Sequence, residues 1–424
     1  MKNPFTKTAV KQLATTFTVL IIGTTALVGC SGQSSDGEAT ELVVWARPSS
    51  VSDEVLEAAR AEFSDINIEF VPSPEIDDQL RAAIRTGTGI PDVVFLGGNL
   101  PEYFEVADKF LDIDAHGFAE HHDDFLENPL ERAQLPNGKL LAMPTDIAAW
   151  AFFYNADEFE KIGLPTDPDE VSEALADWDT YKEFAETARE NDKYLCDSAS
   201  QVLNLQGQQQ GYQWFQNDNG TIVNDFDNPI NRETYDYAVE WANNGLCANV
   251  APYTPEWNAA VTQKSLIGFI APSYEMGILK PAAEADAGSW RTADPVGGPA
   301  NAGGSFVTVM AATKNPEEAV KLAMYFSSPE QQIDAYLTKQ LIPSSVAAYS
   351  DPDVTGPDDF FGGQEAFAPI AKSAENAPHV FSAPGYTAIE QALGQALTNV
   401  AVTGANPDEE FAAVEQKYKA PFGE

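Results

Sequence analysis

The sequence predicts an α/β fold. Three observations carry the prediction. Short apolar runs alternate with amphipathic stripes between residues 42 and 96, those stripes have helical spacing, and Gly residues stand where the elements stop.

The elements follow in order. Leu42-Val43-Val44-Trp45 has the pattern of a buried strand. Apolar residues at 51, 56, 59 and 63 mark a helix that Ser52 or Asp53 can cap. Residues 67–71 read as a second strand. Ile76, Leu80 and Ile84 form a second helical stripe, stopped by Gly87, and 91–96 reads as a third strand ending at Gly97-Gly98. Such alternation predicts a parallel α/β lobe. Asn137-Gly138 signals a hairpin between Leu135 and Leu140. Residues 148–154 read as a strand, with Asn155 capping the next helix. Residues 178–189 and 232–244 are amphipathic helices, the second closed by Gly245. Strands are expected at 266–270 and 305–312. Asn315-Pro316 and Ser328-Pro329 place a cap before Pro at the first helical position. Helices near 387–400 and 407–418 finish the chain, and no fixed-period repeat is seen.

The N-terminus carries Lys2, Lys7 and Lys11 with no acid, then about 16 apolar or small residues from Leu13 to Val28. That run is short for a bilayer-spanning helix, which needs roughly 20 residues, and fits a signal peptide. It ends in Leu27-Val28-Gly29-Cys30, which resembles the lipobox of bacterial lipoproteins, where the Cys is acylated and becomes the first mature residue. Residues 31–38 are small and polar, as in a flexible tether.

The chain has 424 residues, 44% hydrophobic and 11% aromatic, which suits two domains or lobes. Its formal charge is −41, and loss of the three leader lysines makes it −44. This argues against nucleic acid as a partner and against a polyanionic ligand, although one local basic pocket could survive. After Cys30 only Cys196 and Cys247 remain. In an exported protein such a pair is expected to form a disulfide. Two cysteines make no metal site, and His116, His121 and His122 among Glu120, Asp123 and Asp124 read as an exposed polar loop rather than a metal centre. No cofactor is expected.

Several segments together resemble the sugar-type extracellular solute-binding proteins of ABC importers. They are Trp45 after the first strand, Gly89-Ile90-Pro91-Asp92-Val93-Val94, Gly138-Lys139-Leu140-Leu141-Ala142-Met143-Pro144, Phe152-Phe153-Tyr154-Asn155 with Gly163-Leu164-Pro165, Trp178-Asp179-Thr180-Tyr181, Gly303-Gly304-Ser305, Asn315-Pro316-Glu317-Glu318-Ala319 and Ser328-Pro329-Glu330-Gln331-Gln332. The resemblance implies a two-lobed periplasmic-binding-protein-like fold with a hinge and an interlobe ligand cleft. It implies crossings near 143–147, 303–305 and 343–345. The expected division is a leader at 1–29, a tether at 30–40, an N-terminal lobe of 41–146 plus 304–344, and a C-terminal lobe of 147–303 plus 345–424. It further implies a carbohydrate ligand, ABC permease subunits as partners, a monomer, no catalysis, and attachment to the outer face of the cell membrane through the lipid anchor alone.

A sugar site needs aromatic plates and fixed donors and acceptors, set beyond the carboxyl ends of strands. Trp45 and Arg47 follow the first strand, with core packing and a surface ion pair as the competing readings. Gly98 and Asn99 follow the third strand, where a simple turn would also explain them. Asp146, at the first crossing, is the best single carboxylate, and Trp150 four residues on is either a ligand contact or core. Gln209 and Trp214 are candidates from the second lobe, against a polar helix face for the glutamine. Trp257, Ser273 and Tyr274 come next, with Tyr standing where the family more often has Trp. Gly303, Gly304 and Ser305 can offer backbone and hydroxyl contacts, and Tyr386 follows Pro384-Gly385. Trp178, Trp241 and Trp290 read as structural. The same fold binding a cation or polyamine, or a secreted glycoside hydrolase with paired carboxylates, are the alternatives. No G-x-S-x-G, H-E-x-x-H or phosphate-cradling loop is present.

Overall fold

A computed structural model describes residues 40–48, 50–211 and 214–419. Cys30, the leader and most of the tether lie outside them. Ten strands are present among the described residues: β1 Thr40–Ala46, β2 Ile66–Pro72, β3 Val93–Leu96, β4 Met143–Pro144, β5 Trp150–Asn155, β6 Phe215–Asp218, β7 Thr221–Asn224, β8 Gly268–Pro272, β9 Trp290–Ala293 and β10 Phe306–Val309.

The first lobe is built on a five-stranded sheet of order β2-β1-β3-β10-β4. The parallel expectation holds for β1, β2 and β3, which the helices Asp53–Glu62 and Ile76–Thr86 connect. It does not hold for β10, which lies antiparallel to β3 and β4. The physical reason is connectivity: β10 returns from the second lobe and enters the sheet from the opposite end. The second lobe carries a three-stranded sheet, β8-β5-β9, antiparallel throughout, with all six residues of β5 buried. Leu42, Val44, Val93 and Phe306 lie in the first core, whereas Phe152 and Tyr181 lie in one of two cores beneath the second sheet.

Local sequence explains many element ends. The Ser52 hydroxyl accepts the Val55 N–H at 3.1 Å, and Asn155 accepts that of Glu158 at 3.1 Å. Gly87 takes φ +68° to end its helix, where a Cβ would be strained. Asn315 and Ser328 do precede Pro at the first helical position, but neither side chain caps. Asn315 turns instead to the Glu41 carbonyl on the edge of β1. The Asn137-Gly138 turn forms, yet its arms make only the single bridge Gln134–Leu140. A second Asn-Gly pair, Asn219-Gly220, joins β6 to β7 as a hairpin.

The chain passes between the lobes three times, and the three passages lie side by side. The Thr145 N–H donates to the Ser305 carbonyl at 2.9 Å and Ala148 N–H to that of Gly303 at 3.1 Å. On the other flank the Ile147 N–H reaches the Ile342 carbonyl at 2.9 Å. Buried Gln332 ties two passages together. Its Nε2 donates to the Pro144 carbonyl at 3.3 Å, and its Oε1 accepts the N–H groups of Ser344 and Ser345 at 2.7 and 3.0 Å. Tyr336 and Ile342 pack into the second lobe's core. Beside the passages the lobes also touch through Asn128 to the Pro378 carbonyl at 3.1 Å, Glu131 to His379 at 3.0 Å, and Glu102 to the Gly385 N–H at 2.8 Å.

Gly304 is the tightest point. A Cβ there would stand 2.6 Å from the Asp146 carbonyl oxygen, at φ +157°. Gly304→Ala is therefore expected to cost at least about 1–3 kcal/mol, because backbone, not a flexible side chain, would have to move. Urea unfolding measures it, and an unchanged midpoint would show that the passages are loosely packed.

Candidate functional site

A cavity of about 680 Å3 opens where the three passages meet. Seven of the sequence candidates line it: Arg47, Gly98, Asp146, Tyr274, Gly303, Gly304 and Ser305. Arg47 leaves the end of β1 and lies over Gly97, whose missing side chain makes room for the guanidinium. Asp77 fixes the wall. It pairs with Arg47, accepts Asn99 Nδ2 at 2.7 Å, and accepts the Tyr103 hydroxyl at 3.1 Å. Asn99 is thus held beside the cavity rather than against its lining.

Asp146 is 6% exposed. Its Oδ1 accepts the Ser305 N–H at 2.7 Å. Burial pushes its carboxyl up to about 6, against the opposing pull of the Ser305 hydrogen bond. Two tyrosines line the same cavity. Tyr274, 38% exposed, is carried by the one-turn 3₁₀ segment Ser273–Glu275 that follows β8. Tyr253, 64% exposed, sits at φ +63° and also lines the cavity. Exposed rings beside a buried carboxylate and bare glycine backbone offer stacking faces, an acceptor and close main-chain approach. Tyr253, Lys339 and Ile342 were not among the sequence candidates. Tyr253 lies in a turn with no periodic pattern, and its one signal, an exposed aromatic at positive φ, is a structural one.

The remaining candidates lie elsewhere. Trp150, Trp214 and Trp257 are enclosed in the second lobe's cores, which is a correction to their reading as ligand plates. Trp150 donates to Gln208 at 2.8 Å, Trp214 stacks on Phe226 and Trp257 meets Phe269 edge-on. Gln209 donates to the Val296 and Gly298 carbonyls at 2.6 Å each and accepts from Trp178, so it clamps a loop. Trp45 packs half-buried on the first core, Ser273 is wholly buried behind Tyr274, and Tyr386 is buried at the start of the helix Tyr386–Thr403. Trp241 and Trp290 are core, and Trp178 is half-buried against it.

Behind the Tyr274 turn lies a pair of buried acids, Asp197 at 0% and Glu275 at 1% exposure. Asp197 accepts the Ser198 N–H at 2.6 Å and Glu275 accepts Gln201 Nε2 at 3.3 Å. Burial raises both carboxyls, and the charge of Asp197 raises Glu275 further. Cys196 beside this pair is bonded to Cys247. His121 and His122 pair singly with Asp124 and Asp114, and among the described residues no group of His, Cys, Asp and Glu could hold a metal ion. No described helix is long and apolar enough to cross a membrane. Another cavity, about 720 Å3, is lined by Asp167, Ser172, Asp294 and Lys372 but has no aromatic wall and touches no passage.

Comparison with known proteins agrees with this architecture. One solved structure, described as an extracellular solute-binding protein of family 1, is 25% identical with a TM-score of 0.81, covering 90% of this chain and 99% of its own. An ABC-transporter-associated binding protein from Bifidobacterium animalis subsp. lactis, solved with β-1,6-galactobiose, is 22% identical with a TM-score of 0.71 over 90% of this chain and 97% of its own. The galacto-N-biose/lacto-N-biose I-binding protein of Bifidobacterium longum is 20% identical with a TM-score of 0.72 over 91% and 99%. No curated protein matches the sequence. The family model described as bacterial extracellular solute-binding protein matches residues 54–361. Spanning most of both lobes and all three passages, that match makes the chain a member of the bacterial extracellular solute-binding proteins.

Proposed function

We propose that the protein captures a sugar or oligosaccharide between its lobes and hands it to the permease of an ABC importer, without chemical conversion. The observation that supports this best is the cavity at the passages, which Tyr253 and Tyr274 line together with a buried carboxylate and glycine backbone. Sugars present hydroxyls and apolar ring faces, and this set of groups matches both. Structural relatives solved with galactobiose and lacto-N-biose support the ligand class. The lobes are divided as 41–146 plus 304–344 and 147–303 plus 345–424, with Tyr336 and Ile342 reaching across. Ligand closes them by a hinge motion. Cys30, acylated, tethers a monomeric carrier to the outer face of the cell membrane.

Calorimetry against a panel of mono- and oligosaccharides tests the reading. Tight binding of a cation, a polyamine or another solute class with none of carbohydrate overturns it, as does release of products from an oligosaccharide. Asp146→Asn is expected to weaken the best sugar roughly 10- to 100-fold, the loss of a charge-assisted hydrogen bond. Wild-type affinity is expected to fall about tenfold as pH drops from 7 to 5, because the carboxyl that titrates near 6 must be ionised to accept from a hydroxyl. A pH profile unchanged by Asp146→Asn would remove Asp146 from the contact set.

A further inference from the structure

Arg132 ends the helix Glu127–Arg132 and is 8% exposed, the only cationic side chain buried among the described residues. Arg47 has Asp77 and Arg232 has Asp236 and Asp408, whereas the Arg132 guanidinium makes no hydrogen bond or ion pair with any described residue. Burial lowers its pKa, and Tyr386 and Glu390 act on it through space in the opposite sense. An uncompensated buried cation is unfavourable, so a group meeting it with negative charge gains more there than at an exposed site.

Its position is specific. A Cβ on Gly303 would lie 3.7 Å from Arg132 Nη2 and 3.6 Å from the Gly98 Cα. Gly98 and Gly303 both line the cleft cavity. The guanidinium therefore backs onto the cleft wall where Gly98 and Gly303 have no side chain to screen it. Hydroxyls could satisfy its donors but not its charge, whereas a carboxylate does both with two parallel N–H···O bonds. Asp146 in the same cavity disfavours a second negative group, and the chain's charge of −41 disfavours a polyanion.

We propose that Arg132 is the anion-reading residue of the cleft and that the solute is an acidic sugar bearing a single carboxylate, of the uronic-acid class. This rests on the carbohydrate reading and narrows it. The test is calorimetry at neutral pH with matched pairs: galactose against galacturonate, glucose against glucuronate, and a neutral disaccharide against its aldobiuronic counterpart. The quantity read is the affinity ratio of acid to neutral member. Wild type is expected to give a ratio of at least about 10 for one pair, R132Q about 1, and R132K a value between. A wild-type ratio at or below 1, with neutral sugars still bound, overturns the acidic class and leaves the carbohydrate reading standing. An R132Q ratio equal to wild type overturns the role of Arg132, and is the result if the guanidinium serves only the through-space attraction to Glu390. Binding of no carbohydrate overturns both readings. Should R132Q fail to fold, the wild-type and R132K ratios decide.

Discussion

Replacing Cys196 and Cys247 together by Ser is expected to lower the stability of the folded protein by about 4 kcal/mol. The bond spans a sequence separation of 51, and closing a loop of that length removes about that much chain entropy from the unfolded state. The native contribution adds to the same side. Cys196 sits just before the helix Ala199–Gln209 and Cys247 just after the helix Pro229–Asn243, both buried. The Ala248 N–H donates to the Cys196 carbonyl at 2.8 Å and Val250 N–H to that of Asp197 at 3.1 Å, so the bond fixes the strip that holds the acid pair. Urea unfolding of the oxidised protein and the double serine variant gives the difference, and a loss under about 1 kcal/mol would show that the helices dock without the bridge.

The acid pair itself sets the second expectation, a loss of stability as pH rises. In the folded state burial lifts Asp197 to about 7 and lifts Glu275 well above the carboxylate range, the charge of Asp197 adding to it. Tyr181, Tyr253 and Tyr274 are titratable neighbours, and no basic side chain stands among the causes that shift either acid. In the unfolded chain both acids titrate near 4. Between pH 4 and 7 the folded state holds protons that the unfolded state has released, so stability falls with rising pH across that window. The loss is on the order of a few kcal/mol. Asp197→Asn removes one charge and keeps the shape, and is expected to raise the urea midpoint at pH 8 and flatten its dependence on pH. A midpoint that rises from pH 5 to 8 in wild type would contradict the pair.

Most of the architecture was legible because burial on both faces leaves a mark in sequence. Leu42 to Trp45 and Val93 to Leu96 are near-continuous apolar runs, as strands of a covered parallel sheet must be. The direction of β10 was not legible, since strand sense depends on connections that a local pattern does not carry. In the site, Asp146 could be found from its place at the first passage. Trp150, Trp214 and Trp257 could not be sorted, because an indole that stacks on a sugar and one that fills a core are the same residue until burial is known. Arg132 failed for the converse reason: at a helix C-terminus it looks like a favourable charge on a dipole, and only three-dimensional distance reveals that it forms no ion pair with a described carboxylate. The acids Asp197 and Glu275 were lost among 65 carboxylates for the same cause.

One amide has mechanical weight. Gln332 grips the first passage through the Pro144 carbonyl and the third through the Ser344 and Ser345 amides. Strands so laced resist sliding along one another and resist being pulled apart, while bending across their common width stays soft. If the lobes close as proposed, this lacing would confine their motion to one rotation about an axis through the ribbon, and the angle of that rotation, rather than any sideways offset, would be the coordinate on which different solutes leave their mark.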